Sequence, residues 1–123
     1  MIALLDGTHP FHADGLAVGA RPDGVDALLQ KQYLASPFEG GINAFLVKTP
    51  NKLVLIGAGA GDLYGKGGGL LVGNIRAAGF TPDQVYEIFL IHLHQDHVGG
   101  VLLSSIRPSA DPSPRRYRLF VRA

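Results

Sequence analysis

Short apolar runs alternate with glycine- and proline-rich breaks through most of the chain. "IALLDG" at residues 2–7 predicts a short strand closed by an Asp6-Gly7 turn. "THPFHADGLAVGA" follows as a polar loop. Val25, Leu28, Leu29 and Leu34 fall near helical spacing, which predicts a helix over about residues 23–34 that "SPFEGG" breaks. Two apolar runs, 42–47 and 53–56, flank "KTPNK" and predict a β-hairpin. The glycine-rich "GAGAGDLYGKGGG" then leads into "LLVGNIRAAGF". There Leu70, Leu71, Ile75 and Ala78 share a face and Gly79 supplies a helix stop. "TPDQ" has the composition of a capping box. "VYEIFLIH" is too continuously apolar for one face to lie in water, so it predicts a central strand covered on both sides. "VGGVLLSSI" starts a further helix.

The last 17 residues, 107–123, break the pattern. They hold three of the eight prolines and five of the eleven basic residues: Arg107, Arg115, Arg116, Arg118 and Arg122. An irregular, poorly ordered tail is expected there, after one domain over residues 1–106. The 123 residues suit one modest core. A net charge of +1 argues neither for nor against an anionic partner; no nucleic-acid or membrane partner is expected. With no cysteine, disulfides and thiolate metal sites are excluded, and any metal needs nitrogen and oxygen ligands. No apolar run approaches the roughly 20 residues of a membrane span. The start lacks the basic and apolar regions of a signal peptide. A cytoplasmic location is expected for the sequence as written, and a periplasmic or secreted one if a leader precedes it.

Two glycine patterns invite a nucleotide reading and fail it. "GAGAGD" places Asp62 where the dinucleotide fingerprint needs Gly or Ala, and its charge would oppose a pyrophosphate. Around Gly65-Lys66 the phosphate-loop pattern misses at Ala60 and at Gly67. A flexible turn before a helix is the expectation.

The strongest chemical signal is "IHLHQDHVGG", residues 91–100, which crowds three of the five histidines beside an acid. At this chain's residue frequencies the four-residue pattern arises by chance in about 5 of 10,000 such chains. At a strand end, residues i and i+2 point the same way, so His92 and His94 can converge while Leu93 turns into the core. Asp96 and His97 follow a bend and can address a second point nearby. Imidazole and carboxylate suit zinc, and also manganese or iron. Two such ions could share a water and lower its pKa towards neutrality. His9 and His12 in "THPFH" show no such pairing and read as surface histidines.

"HLHQDHVGG" resembles the His-x-His-x-Asp-His signature of the metallo-β-lactamase-fold hydrolases. The resemblance runs through "NAFLVKTPNKLVLIGAGAGDLYG" and "LLVGNIRAAGFTPDQVYEIFLIHLH". "ALLDGTHPF" and "VDALL" are similar to the branch of methyl parathion hydrolase and lactonase-like enzymes. It covers residues 2 to about 103. The resemblance implies an α/β (α+β) fold, the N-terminal half of an αβ/βα sandwich, with a mixed β-sheet and flanking helices. It also implies a dinuclear zinc site, with His92 and His94 on one ion and Asp96 and His97 on the other. Asp96 would be catalytic by orienting the attacking hydroxide. The implied substrates are esters, lactones and phosphotriesters.

Two departures temper this. The family's Asp-Thr-Gly is Gly57-Ala58-Gly59 here, so an acid that supports the metal loop is missing. No histidine follows His97, and Asp111 lies in the tail. Each ion would keep two protein ligands where a catalytic zinc has three. The expectation is a truncated metal-dependent hydrolase, weak or inactive as this chain, taking a small-molecule substrate. The alternative is a non-catalytic remnant or interaction module with a partial metal site, which could form a homo-dimer through its exposed sheet.

Overall fold

A computed structural model of the chain describes residues 1–102 and 118–121. The elements in order are β1 (Ile2–Phe11), α1 (Ala13–Leu16), α2 (Pro22–Lys31), β2 (Phe38–Lys48), β3 (Leu53–Ile56), α3 (Leu71–Ala77), β4 (Val85–Leu90), α4 (Gln95–Leu102) and β5 (Arg118–Val121). Short 3-10 turns lie at Gly65–Gly67 and Pro82–Gln84. The strands form one mixed five-stranded sheet in the order β1-β2-β3-β4-β5. β2 and β3 are the expected antiparallel hairpin, with Phe45 opposite Ile56 and Lys48 opposite Leu53. β4 runs parallel to both β3 and β5, so α3 serves as the crossover between β3 and β4.

The expected domain over residues 1–106 meets a chain that divides into two compact units: Met1–Gly7 with Gly41–Ala123, and Thr8–Gly40. The expected tail lies outside the described residues except at Arg118–Val121, which form a strand instead of irregular chain.

In the larger unit the core joins Leu4, Ala44, Leu46, Leu53, Leu55, Ile88 and Leu90 of the sheet to Leu71 and Ile75 of α3. Val98 and Val101 of α4 pack against it. Leu71 and Ile75 are four apart, hence on one helix face. α3 stops as its sequence predicts. Gly79 takes φ +85, its N–H donates to the Arg76 carbonyl, and the Phe80 N–H donates to the Ile75 carbonyl. That pair of bonds is the Schellman arrangement. The capping box at Thr81 is also present, with Gln84 Oε1 accepting from the Thr81 N–H at 2.8 Å.

β4 lies inside the sheet between β3 and β5, but its cover is incomplete: Tyr86 and Phe89 are exposed while Val85, Glu87, Ile88 and Leu90 are buried. Glu87 tolerates burial because Lys52 Nζ donates to its Oε1 at 2.7 Å. Lys52→Met should therefore destabilise the chain by about 1–2 kcal/mol, since it strands a buried carboxylate. Urea unfolding of this variant beside Lys52→Met/Glu87→Gln checks it, because the double variant should recover part of the loss.

Three local expectations are corrected. The predicted turn at Asp6-Gly7 is instead mid-strand, and β1 continues to Phe11. The reason lies in tertiary contacts. Asp6 points inward as a buried acceptor, and Gly7 lets Gly67 and Gly68 approach too closely for any Cβ. In the smaller unit, the polar loop after residue 7 is the end of β1 followed by α1. The Phe11 and Phe38 rings pack there at 6.3 Å. The helix predicted over 23–34 is α2 and ends at Lys31. Tyr33 adopts φ +58 and the Leu34 N–H closes back on the Leu29 carbonyl, which stops the helix short of Leu34.

Candidate metal centre

The histidine loop is positioned by a chain of backbone contacts that starts at Asp6. The Asp6 side chain is 1% exposed. Its Oδ2 accepts from Ala60 N–H at 2.8 Å and Gly61 N–H at 3.1 Å, and its Oδ1 accepts from Leu71 N–H at 3.1 Å. Gly57, Gly59 and Gly61 all have positive φ, and Gly59 lies directly against the Asp6 carboxyl. The glycine-rich loop thus does cradle an anion, but the anion is the chain's own side chain.

The loop in turn seats α4. The Ala58 N–H donates to the His97 carbonyl at 3.0 Å and the Gly100 N–H to the Gly59 carbonyl at 3.3 Å. Gly99 and Gly100 are buried so tightly on the carbonyls of Ala60 and Ala58 that neither position has room for a Cβ. α4 begins at Gln95, so Asp96 and His97 occupy its first turn, and His94 stands at its N-terminal boundary.

The four singled-out side chains converge unequally. Ligand atoms of His92, Asp96 and His97 all lie within 4.8 Å of one another, and all three residues are half-buried. His94 stays outside that group and is exposed, with its Nδ1 3.1 Å from His92 Nε2. The rings of His92 and His97 are 4.2 Å apart. His97 Nε2 lies 3.1 Å from Asp96 Oδ2. Burial lowers the His97 pKa, the Asp96 charge opposes this, and His92 and His94 lower it further. His97 is therefore neutral at neutral pH, the form that can donate a lone pair to a metal.

Two nitrogens and one oxygen around one point fit a single borderline ion with three protein ligands. The structure thus gathers one three-donor cluster, where the resemblance implied two pairs. Leu93 corrects the expectation that it faces the core. It is 63% exposed, because β4 ends at Leu90 and strand alternation does not reach it. Leu93 instead lines an apolar cavity of about 310 Å³ with Leu90, Val98, Val101 and Leu102.

In the smaller unit, His12 is exposed and His9 packs edge-on against Phe11 at 5.2 Å. Sequence reasoning missed Asp6, whose Asp-Gly pair looked like a turn. It also missed Tyr64, whose phenol pKa is raised first by burial and then by the Asp96 charge. The only signal for Tyr64 was its place in the glycine loop.

The sequence profile described as "Metallo-beta-lactamase superfamily" matches residues 37–106. No curated protein matches the chain. Among solved structures, the hydrolase AbOPH of the beta lactamase superfamily is 35% identical, with a TM-score of 0.74 over 97% of this chain and 39% of its own. AidC, a dizinc quorum-quenching lactonase in complex with the product N-hexnoyl-L-homoserine, is 32% identical, with a TM-score of 0.73 over 80% of this chain and 34% of its own. A probable metal-dependent hydrolase from Staphylococcus aureus shares the fold at 19% identity and a TM-score of 0.67, over 80% of this chain and 39% of its own. The chain thus spans less than two-fifths of the length of these structures. With the profile covering more than half of its residues, and with the sheet order and histidine loop in place, the chain belongs to the metallo-beta-lactamase superfamily.

Proposed function

We propose that this chain carries the ion-binding loop of a metal-dependent hydrolase that acts on an ester, lactone or phosphotriester. The observation that carries the reading is the His92, Asp96 and His97 cluster at the mouth of the β4-α4 turn. These three residues would hold a divalent ion, with zinc the first choice for two imidazoles and a carboxylate. A bound ion would supply Lewis-acid polarisation of a carbonyl or phosphoryl oxygen and a lowered water pKa. The chain's own part is to present neutral His97, to hold Asp96 beside it and to fix both on a helix that cannot shift against the glycine loop. Asp96 has a second oxygen with which to orient an incoming water. The dizinc lactonase among the similar structures supports the substrate class.

The activity expected of this chain alone is weak. Purified protein titrated with zinc should hydrolyse an aryl ester, a lactone or an aryl phosphotriester slowly, and Asp96→Asn should reduce turnover at least roughly hundredfold. Turnover indifferent to both chelator and Asp96→Asn would rule the reading out.

A second reading, a non-catalytic interaction module, is favoured by the apolar cavity at Leu93 and Leu102, whose side chains are largely exposed. It expects no turnover with zinc bound, and a homo-dimer by mass measurement whose formation chelator alters if His92 and His94 of two copies share an ion.

A further inference from the structure

The far side of His97 is where the cluster is unfinished. His97 Nε2 faces Asp96 Oδ2 at 3.1 Å, and a carboxylate at that distance favours the tautomer with the proton on Nε2. His97 Nδ1 is buried and, among the described residues, is the side-chain atom left without a hydrogen-bond partner. The residue opposite it is Gly57. A Cβ there would stand 3.7 Å from His97 Nδ1 and 3.6 Å from the Asn43 carbonyl oxygen. The position that faces the orphaned nitrogen therefore has no side chain.

We propose that Gly57 sets the ion affinity of the cluster by leaving His97 Nδ1 without an acceptor. This rests on the reading of His92, Asp96 and His97 as ion donors. A neutral imidazole that ligates through Nε2 must carry its one proton on Nδ1. Ion binding therefore removes the proton from Nε2 and places one on Nδ1, with no net gain or loss. The new N–H is buried with no acceptor among the described residues, and an unpaired buried donor opposes the change. Losing the outer partner of a ligating histidine weakens metal binding by roughly tenfold to a hundredfold. An acceptor at position 57 removes that penalty. Aspartate suits the place: it is short, and it is among the few residues that tolerate a positive φ, here +74.

The test is zinc affinity measured by competition with a chromophoric chelator in wild type, Gly57→Asp and Gly57→Ala. Gly57→Asp should bind about tenfold to a hundredfold more tightly than Gly57→Ala, which bears the same backbone strain without an acceptor. Equal affinity of the two variants overturns the inference. Imidazole nitrogen NMR on the unmutated chain gives a second readout that does not depend on a variant folding. His97 should be protonated at Nε2 without zinc and at Nδ1 with it, and an Nδ1 proton already present without zinc overturns the inference. Asp96→Ala separates the two layers. Unchanged zinc affinity in that variant defeats the donor assignment itself. Loss of affinity there, with Gly57→Asp no better than Gly57→Ala, defeats only the role of Gly57.

Discussion

Replacing Asp6 by alanine is expected to destabilise the chain by about 4 kcal/mol or more. The carboxylate accepts three backbone N–H groups from two separate segments, Ala60-Gly61 and Leu71, and almost none of it reaches solvent. Each buried donor left without a partner costs about 1–3 kcal/mol, and the vacated volume adds to the loss. Asp6→Asn should fall between. It keeps one acceptor oxygen but turns an NH₂ towards backbone donors, so at least one of the three bonds becomes a repulsion. Urea unfolding should show the midpoint falling in the order wild type, Asp6→Asn, Asp6→Ala with the slope unchanged. If Asp6→Ala unfolds within about 1 kcal/mol of wild type, the carboxylate is not what holds the glycine loop.

The second large effect is expected at Gly99. A methyl group there runs into the backbone carbonyl of Ala60, and backbone cannot swing aside as a side chain can. Gly99→Ala should cost about 2–3 kcal/mol, in the range for forcing extra volume into a packed site. It should also do something that a purely structural lesion elsewhere would not. α4 must lift from the loop, and its first turn carries Asp96 and His97, so zinc affinity should fall even where the variant remains folded. Gly73→Ala is the matched control, because nothing lies within 4 Å of a Cβ at that position and it sits inside α3. It should be neutral or mildly stabilising, since alanine is the better helix former. Equal effects of the two substitutions on zinc affinity would break the link between the glycine seat and the donor cluster.

Much of this was legible beforehand. The hairpin, the α3 helix with its Gly79 stop, the capping box at Thr81 and the β4 strand all follow from patterns a few residues long. The proximity of His92, Asp96 and His97 was legible for the same reason, because they lie within six positions of one another and a strand end followed by a helix start brings them close.

Other features depended on partners far along the chain. The Asp6 bonds span 54 to 65 residues, and no periodicity reports such a contact. Asp6-Gly7 therefore looked like a turn, and the glycine loop looked either idle or built for a phosphate. Only the folded chain shows that the loop already holds a carboxylate. The same limit applied to Leu93, whose direction depended on where β4 stopped, and to β5, whose pairing with β4 joins a segment that composition alone marked as irregular.

By itself, then, the sequence determined the family and most of the local elements, and it marked the histidine loop, because each is written in short-range spacing. The tertiary structure decided which side chains of that loop meet. His92, Asp96 and His97 share one point and His94 does not, because two glycines lock the first turn of α4 onto a loop that a buried aspartate on β1 holds in place. It also showed that the nitrogen of His97 facing Gly57 has no partner among the described residues, a fact of packing between residues 40 positions apart that no motif contains.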